Sequence, residues 1–262
     1  MAVAHDVMWI GGPPGAGKTT VASVLARRHG LRLYSADTRT WIHRDRAIAG
    51  GNVAAIRWEA LSVEQRRAAP DRELIAMSLY AERGGMVVDD LRALPDAPLV
   101  IAEGSVIRPQ DVPVVAAAVW LMSAPEALSE RRHGRDGAAN RLYELMVEVI
   151  AADVGAARAR VLEVNDVGET VDALAALFAP QLARGPLATT VEELRGLLRE
   201  ANLDIVEQVR GYYRRPRAFG DAESVLRSFI CECGRRDCVS FVDASVRAAA
   251  ASPVMAVGHE RG

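Results

Sequence analysis

The sequence is poor in several things at once. It holds three cysteines, all within its last forty or so residues, and 5% aromatic residues. Three clustered cysteines do not make the disulfide framework of a small secreted domain. The most apolar stretch, Val112 to Met122, is about half the length that a membrane-spanning helix requires, so no membrane partner is expected. A basic segment followed by an apolar run is missing near the start, where Asp6 intervenes, and no export signal is read there. The formal net charge is −2, which leaves no overall positive field for nucleic acid. A cytoplasmic location is the default expectation. Lysine is the scarcest basic residue: Lys18 stands alone, and all other Lys/Arg positions are arginine.

What is present is ordinary globular composition, with 50% hydrophobic and 25% charged residues over 262 positions. That length suits one α/β domain plus a small module. Asp6 to Ile10 is a short apolar run, Gly11 to Gly17 a glycine-rich turn, and Lys18 to His29 has helical periodicity. Arg27, Arg28 and His29 before Gly30 suit a helix C-terminus, where cations meet the negative dipole end. Further strands are expected at Leu31–Ala36, Leu99–Ala102, Val114–Met122 and Val161–Val164. Helical stretches fall between them, reaching Arg92, then over Leu142–Ala157, with a closing helix over Thr170–Leu182. Strands alternating with helices imply a parallel sheet covered on both faces. Residues 183–187 read as a linker between a unit over 1–184 and a second over 190–262. In the latter, Thr190 and Glu193 form a capping box ahead of a helix ending near Arg214, and a few short strands follow.

Gly12-Pro13-Pro14-Gly15-Ala16-Gly17-Lys18-Thr19 matches G-x-x-x-x-G-K-[ST] at every position. Glycines let the backbone turn its N–H groups inward onto phosphates, and the helix that follows presents its positive end. Lys18 is placed to reach the outer phosphates of ATP or GTP, the Thr19 hydroxyl to ligate Mg²⁺, and Thr20 to complete the nucleotide contact. The sole lysine therefore occupies the position where a compact ammonium is needed. A plain glycine turn is the alternative, and a match of this pattern arises by chance in only about 1% of such chains.

From Asp6 to about Leu182 the chain resembles the small P-loop kinases of the adenylate, shikimate and gluconate kinase type, antibiotic phosphotransferases included. The likeness rests on the phosphate loop, on Tyr34-Ser-Ala-Asp37 after the second strand, on Glu103-Gly104 ending a central strand, and on an arginine-rich stretch before a long helix. It implies a three-layer P-loop NTPase fold with a parallel central sheet and a small α+β module behind it. It further implies a transfer of phosphate to a small molecule. Asp37 is then the candidate general base or magnesium-side acid, against a plain helix N-cap. Glu103 is a candidate indirect Mg²⁺ contact beside Gly104, against a loop carboxylate. Arg131 and Arg135, with Arg132 and more weakly Arg141, are candidate lid residues, against solvated surface. The segment from Thr38 through Trp41, His43 and Arg44 is expected to border the acceptor. The alternative function is a nucleotide-dependent regulatory switch.

The tail, from Arg199-Glu-Ala-Asn202 through Cys231-Glu-Cys233 to Gly258-His259-Glu260, resembles a module attached to varied bacterial regulatory proteins, which implies regulation or a protein partner. Cys231, Cys233, Cys238 and His259 form a set suited to structural Zn²⁺; buried free thiols or redox chemistry are the other readings. Eleven acidic and eleven basic residues between Thr190 and Gly262 cancel, which speaks against nucleic acid.

Overall fold

The computed structural model describes residues 7–113, 117–123 and 141–259. Its centre is a sheet of β1 (Val7–Gly11), β2 (Arg32–Ser35), β3 (Val100–Glu103), β4 (Ala117–Met122) and β5 (Val161–Glu163), in the spatial order β2-β3-β1-β4-β5. Every pairing is parallel, with Ile10 opposite Glu103 on one side and Val119 on the other. Parallel strands require crossover connections, and here helices supply those that follow β1, β2 and β4. They are α1 (Lys18–His29) after β1, α2 (Thr40–Ala49), α3 (Val53–Ala60), α4 (Val63–Ala68), α5 (Asp71–Ser78) and α6 (Tyr80–Arg92) before β3, and α7 (Arg141–Ala156) before β5. The helices α8 (Val167–Leu177) and α9 (Ala179–Arg184) close the unit.

The alternation within β1 explains why the sheet is covered on both faces. Met8 and Ile10 point into one core with Val21, Leu25, Ile101, Leu121 and Phe178. Val7 and Trp9 point into another with Tyr34, Val87, Leu91, Trp120 and Ile150. A strand buried on both faces has no polar side to show, and this is why it reads as an unbroken apolar run. Helix α1 ends as its residues dictate: Gly30 sits at φ 72 and donates its N–H to Ala26, behind Arg27, Arg28 and His29.

The expected linker is tied into the first unit, since Leu99 N–H donates to Pro186 O at 2.8 Å and Ala188 N–H to Gly30 O at 2.8 Å. Beyond it, α10 (Val191–Tyr213) starts at the capping box of Thr190 and Glu193. It is followed by an antiparallel hairpin of β6 (Leu226–Ile230) and β7 (Phe241–Ser245) and by α11 (Val246–Ala251). Phe229 packs with Val206, Val209, Val246 and Ala249 in a small core of its own. Buried Asn202 behaves like a strand neighbour: its Oδ1 accepts from Ile230 N–H at 2.9 Å and its Nδ2 donates to Ile230 O at 2.8 Å. Arg199 donates to the carbonyls of Ala249, Ala250 and Ser252, which fastens α11 to α10. Among the described residues no helix is long and apolar enough to cross a membrane.

Phe178 is fully buried between the closing helices and the sheet. Phe178→Ala is expected to lower the unfolding free energy by ~3–5 kcal/mol, read from denaturant midpoints. A loss under about 1 kcal/mol would show that the closing helices do not share the sheet's core.

Candidate nucleotide and acceptor site

The order of the sheet reverses at β1, and in open α/β sheets ligands bind outside the strand ends at such a reversal. The loop from Gly12 to Thr19 lies there. Gly12 is at φ 129, and a Cβ on it would meet the Leu121 carbonyl at 2.1 Å, so β4 leaves no room for any side chain. Gly17, at φ 83, makes the left-handed turn that aims the first turn of α1 back at the loop. Lys18 is buried, and its Nζ donates to Pro13 O at 2.9 Å and Ser105 Oγ at 3.0 Å. The ammonium is thereby folded over the loop, and Ser105 is a partner that sequence reasoning did not single out.

Glu103, at the end of β3, is completely buried. Its Oε1 accepts from Thr19 Oγ1 at 3.2 Å and from Ser35 Oγ. Among the described residues its Oε2 has no hydrogen-bond partner. Burial, and then the charge of nearby Asp37, push the Glu103 carboxyl up to about 7, with Lys18 opposing them. An orphaned carboxylate oxygen beside the loop threonine is what a hydrated divalent cation requires, so these residues fit Mg²⁺. Gly104 follows because a Cβ there would lie 2.6 Å from that of Ala36.

Asp37 stands on the turn after β2. It does not cap α2, which begins at Thr40 behind Arg39 without a side-chain cap. Instead the Asp37 backbone carbonyl accepts from Thr40 Oγ1 at 2.7 Å and from Gln208 Nε2, on α10, at 2.9 Å. A cavity of about 870 Å³ runs from Lys18, Thr19 and Thr20 past Asp37 to Trp41, Arg44, Trp58 and Arg83. Leu142 and Tyr143 of α7 line it, as do Arg227, Ser228 and Asp243 of the tail hairpin.

Arg44 is buried in the wall of this cavity. One of its nitrogens donates to Met77 O at 2.8 Å, and its guanidinium lies 4.8 Å from the centre of the Trp58 ring. Its Nε and Nη1 have no partner among the described residues. Burial brings its pKa down to about 10, which still leaves a cation at neutral pH.

His43, expected beside the acceptor, lies behind the cavity wall instead. Helix α2 turns Trp41 and Arg44 toward the cavity and His43 inward, where it is fully buried. Its Nε2 meets Asp90 Oδ2 at 2.9 Å, and Arg83 Nε donates to its Nδ1 at 3.3 Å. Burial lowers the His43 pKa, so the ring is neutral, with Nε2–H donating and Nδ1 accepting. Burial alone would raise Asp90, but bonds from His43, Tyr34 and Arg46 outweigh it and hold its pKa at about 2. This chain of contacts orients Arg83, which also donates to Ala36 O and lines the cavity. Arg83 was missed in the sequence, where it is one arginine among many on a mixed helix.

The lid candidates Arg131, Arg132 and Arg135 lie outside the described residues. Arg141 is directed to the α4–α5 turn: it pairs with Asp71 and donates to Arg67 O at 3.2 Å and Ala69 O at 3.1 Å. The fourfold set of Cys231, Cys233, Cys238 and His259 does come together, away from this cavity's lining.

A search of curated proteins finds no match to the chain. Similar solved structures include a shikimate kinase from Acinetobacter baumannii in complex with shikimate, 19% identical, covering 67% of this chain and 93% of that one at a TM-score of 0.42. A sugar kinase from Janibacter sp. HTCC2649 is 17% identical over 69% and 98% of the two chains, at 0.40. A gluconokinase from Sinorhizobium meliloti 1021 is 18% identical over 69% and 93%, at 0.39. The family described as AAA domain matches residues 9–148, a span that begins in β1 and takes in the phosphate loop, Asp37, Arg44, Arg83 and Glu103. With more than half of its length inside that match, the chain belongs to this P-loop family.

Proposed function

We propose that the chain is an ATP-dependent phosphotransferase that phosphorylates a hydroxyl of a small polar or anionic molecule. The observation that carries this reading is the single cavity joining Lys18 to Arg44, two buried cations at its two ends. One end suits the phosphates of a nucleotide. The other offers two unpartnered guanidinium nitrogens and two indole faces, which suit an acceptor carrying carboxylate, phosphate or hydroxyl groups.

In this reading the loop amides of residues 12–19 cradle the phosphates, and Lys18 shifts from Pro13 and Ser105 onto the outer phosphate oxygens. Thr19 and Glu103 would hold Mg²⁺, which when bound offsets phosphate charge. Asp37 accepts the proton of the acceptor hydroxyl. The hydroxyl oxygen forms the new bond to the γ-phosphorus, the bond from that phosphorus to the bridging oxygen breaks, and ADP leaves. Arg83, held by His43, faces the transferred group. The chemistry is therefore mainly positioning and charge placement.

The test is ADP release from Mg-ATP across nucleosides, nucleoside monophosphates, sugars, hydroxy acids and aminoglycosides. One class should stimulate strongly. With it, Lys18→Ala and Asp37→Asn should each cost about 100-fold or more in kcat, and Arg44→Ala should raise the acceptor KM about tenfold or more. A panel that leaves the rate flat, or an Asp37→Asn chain with normal turnover, rejects the reading.

A second expectation concerns pH. Glu103 carries its proton below about 7, and a divalent cation favours the ionised form. Binding of Mg-ATP at about pH 6 should then release a proton, and affinity should fall as pH drops through that value. Calorimetry in two buffers of different ionisation enthalpy reads the proton. Glu103→Gln should bind more weakly and without this pH dependence; an unchanged proton release in that variant removes Glu103 from the cation site.

A further inference from the structure

The cysteine cluster lies where the tail meets the helix that carries the phosphate loop. Cys231 directly follows β6, Cys233 and Gly234 make a turn, Cys238 precedes β7, and His259 returns from beyond α11. All three cysteines are free and buried. The four ligand atoms lie within 4.8 Å of one another, with His259 Nδ1 at 3.5 Å from Cys231 Sγ and 3.6 Å from Cys238 Sγ. Donors placed about 2.0–2.3 Å from a tetrahedral Zn²⁺ are separated by about 3.5–3.8 Å. The backbone supports anionic sulfur as well, since Ala256 N–H points to Cys231 Sγ at 3.3 Å.

An independent feature lies on the other side of the contact. Arg27, in the last turn of α1, is 1% exposed. It donates to Cys231 O, to Arg235 O at 3.2 Å and toward Cys233 Sγ at 3.8 Å. No carboxylate pairs with it among the described residues. A guanidinium so deeply buried against neutral groups is costly unless a negative charge accompanies it. Binding of Zn²⁺ by three cysteines releases three thiol protons and leaves a centre of charge −1, with no change of oxidation state. That charge is the missing partner.

We propose that Cys231, Cys233, Cys238 and His259 bind one Zn²⁺, and that Arg27 is the counter-charge through which this centre fastens the C-terminal unit to the nucleotide-loop helix. Neighbouring bonds follow the same contact. Arg236 donates to Arg28 O at 3.1 Å and Ala188 O at 2.6 Å, and Arg195 of α10 to Cys233 O at 3.2 Å. Gly234 sits at φ 77 with Val191 so near that a Cβ would be 2.8 Å from it, which presses the turn onto the start of α10. Arg27 is a positioning residue here, with no part in phosphate transfer.

The experiment uses the full chain, purified without chelator, and reads metal content and zinc affinity by chelator competition, so its outcome is separate from any kinase assay. About one zinc per chain is expected, with almost none in Cys238→Ser. Arg27→Gln should weaken zinc binding about 10- to 100-fold, as loss of a group supporting a metal ligand does, while Arg27→Lys keeps most of it. Hydrogen exchange is the second readout. Stripping zinc from the unaltered chain should speed exchange at Arg27–His29 and residues 231–238 but not in β1 and β3. A metal-free chain with reduced or disulfide-linked cysteines that takes up no added zinc overturns the metal site. An Arg27→Gln chain with unchanged zinc affinity, or stripping that leaves exchange at Arg27–His29 unaltered, overturns the counter-charge.

Discussion

A parallel sheet buried on both faces can show polar groups only at its strand ends, and the rest of this molecule is arranged around that constraint. Met8, Ile10, Ile101 and Leu121 fill one face, and Val7, Trp9, Val100 and Trp120 the other. What ionisable chemistry the central strands carry must therefore collect where β1 and β3 end. Lys18, Arg83, Arg44 and Glu103 are all buried there, with Asp37 at their edge. The three cations outnumber the two carboxylates, and burial pushes the pKa of one of those carboxylates, Glu103, well above the ordinary carboxylate range. Desolvated positive charge of this kind is stabilised by an incoming anion. The site is thus electrostatically incomplete in the direction a nucleotide would complete.

The features that were legible in the sequence are those determined locally. The glycine-rich turn ahead of α1, the glycine stop of α1 and the capping box of α10 each depend on a few consecutive residues, and each is found at the positions read. Strand existence was legible too, because burial of the central strands on both faces leaves apolar runs; their ends shifted by a residue, and the start read at Val114 lies outside the described residues. The closing helix read over Thr170–Leu182 is two helices, since Pro180 begins a new turn behind Phe178. Residues 183–187 looked like a linker from Gly185 and Pro186, yet the Pro186 carbonyl accepts from Leu99, and Ala188 just beyond them donates to Gly30. Composition marks a turn but does not say whether other backbone waits for it.

Placement across elements was not legible. His43 and Arg44 are adjacent, and only the orientation of α2 sends one inward and the other into the cavity. Arg83 acquires its meaning from Ala36 and His43, some forty positions earlier in the chain. Asp90 carries no signal in the sequence, and it anchors Tyr34, His43 and Arg46 together. In each case the informative event is a buried polar group meeting a distant partner, which periodicity cannot encode.

The tail gives the clearest case of a local pattern with a remote consequence. Glu200, Asp204 and Gln208 recur every fourth residue along α10, so they share one face of it. That face meets Arg32 at 2.5 Å, Arg39 at 2.9 Å and the Asp37 carbonyl at 2.9 Å in succession. One turn further on, Gly211 lets α10 pass close against Trp41, and Arg215 then pairs with Asp45 and Glu59. These pairs are half-buried or partly exposed, and a surface ion pair contributes about 1 kcal/mol or less, so their number matters less than their order. They follow the edge strand β2 to its end, then the turn that bears Asp37 and the first turn of α2, which bears Trp41. A helix laid along a sheet edge also hides unpaired strand groups from other chains. Here the same helix fixes the backbone of the proposed base from behind, while its hairpin supplies one wall of the cavity. The C-terminal unit is therefore built into the side of the cavity that bears Asp37 and Trp41, and without it the Asp37 carbonyl would lose the bond from Gln208.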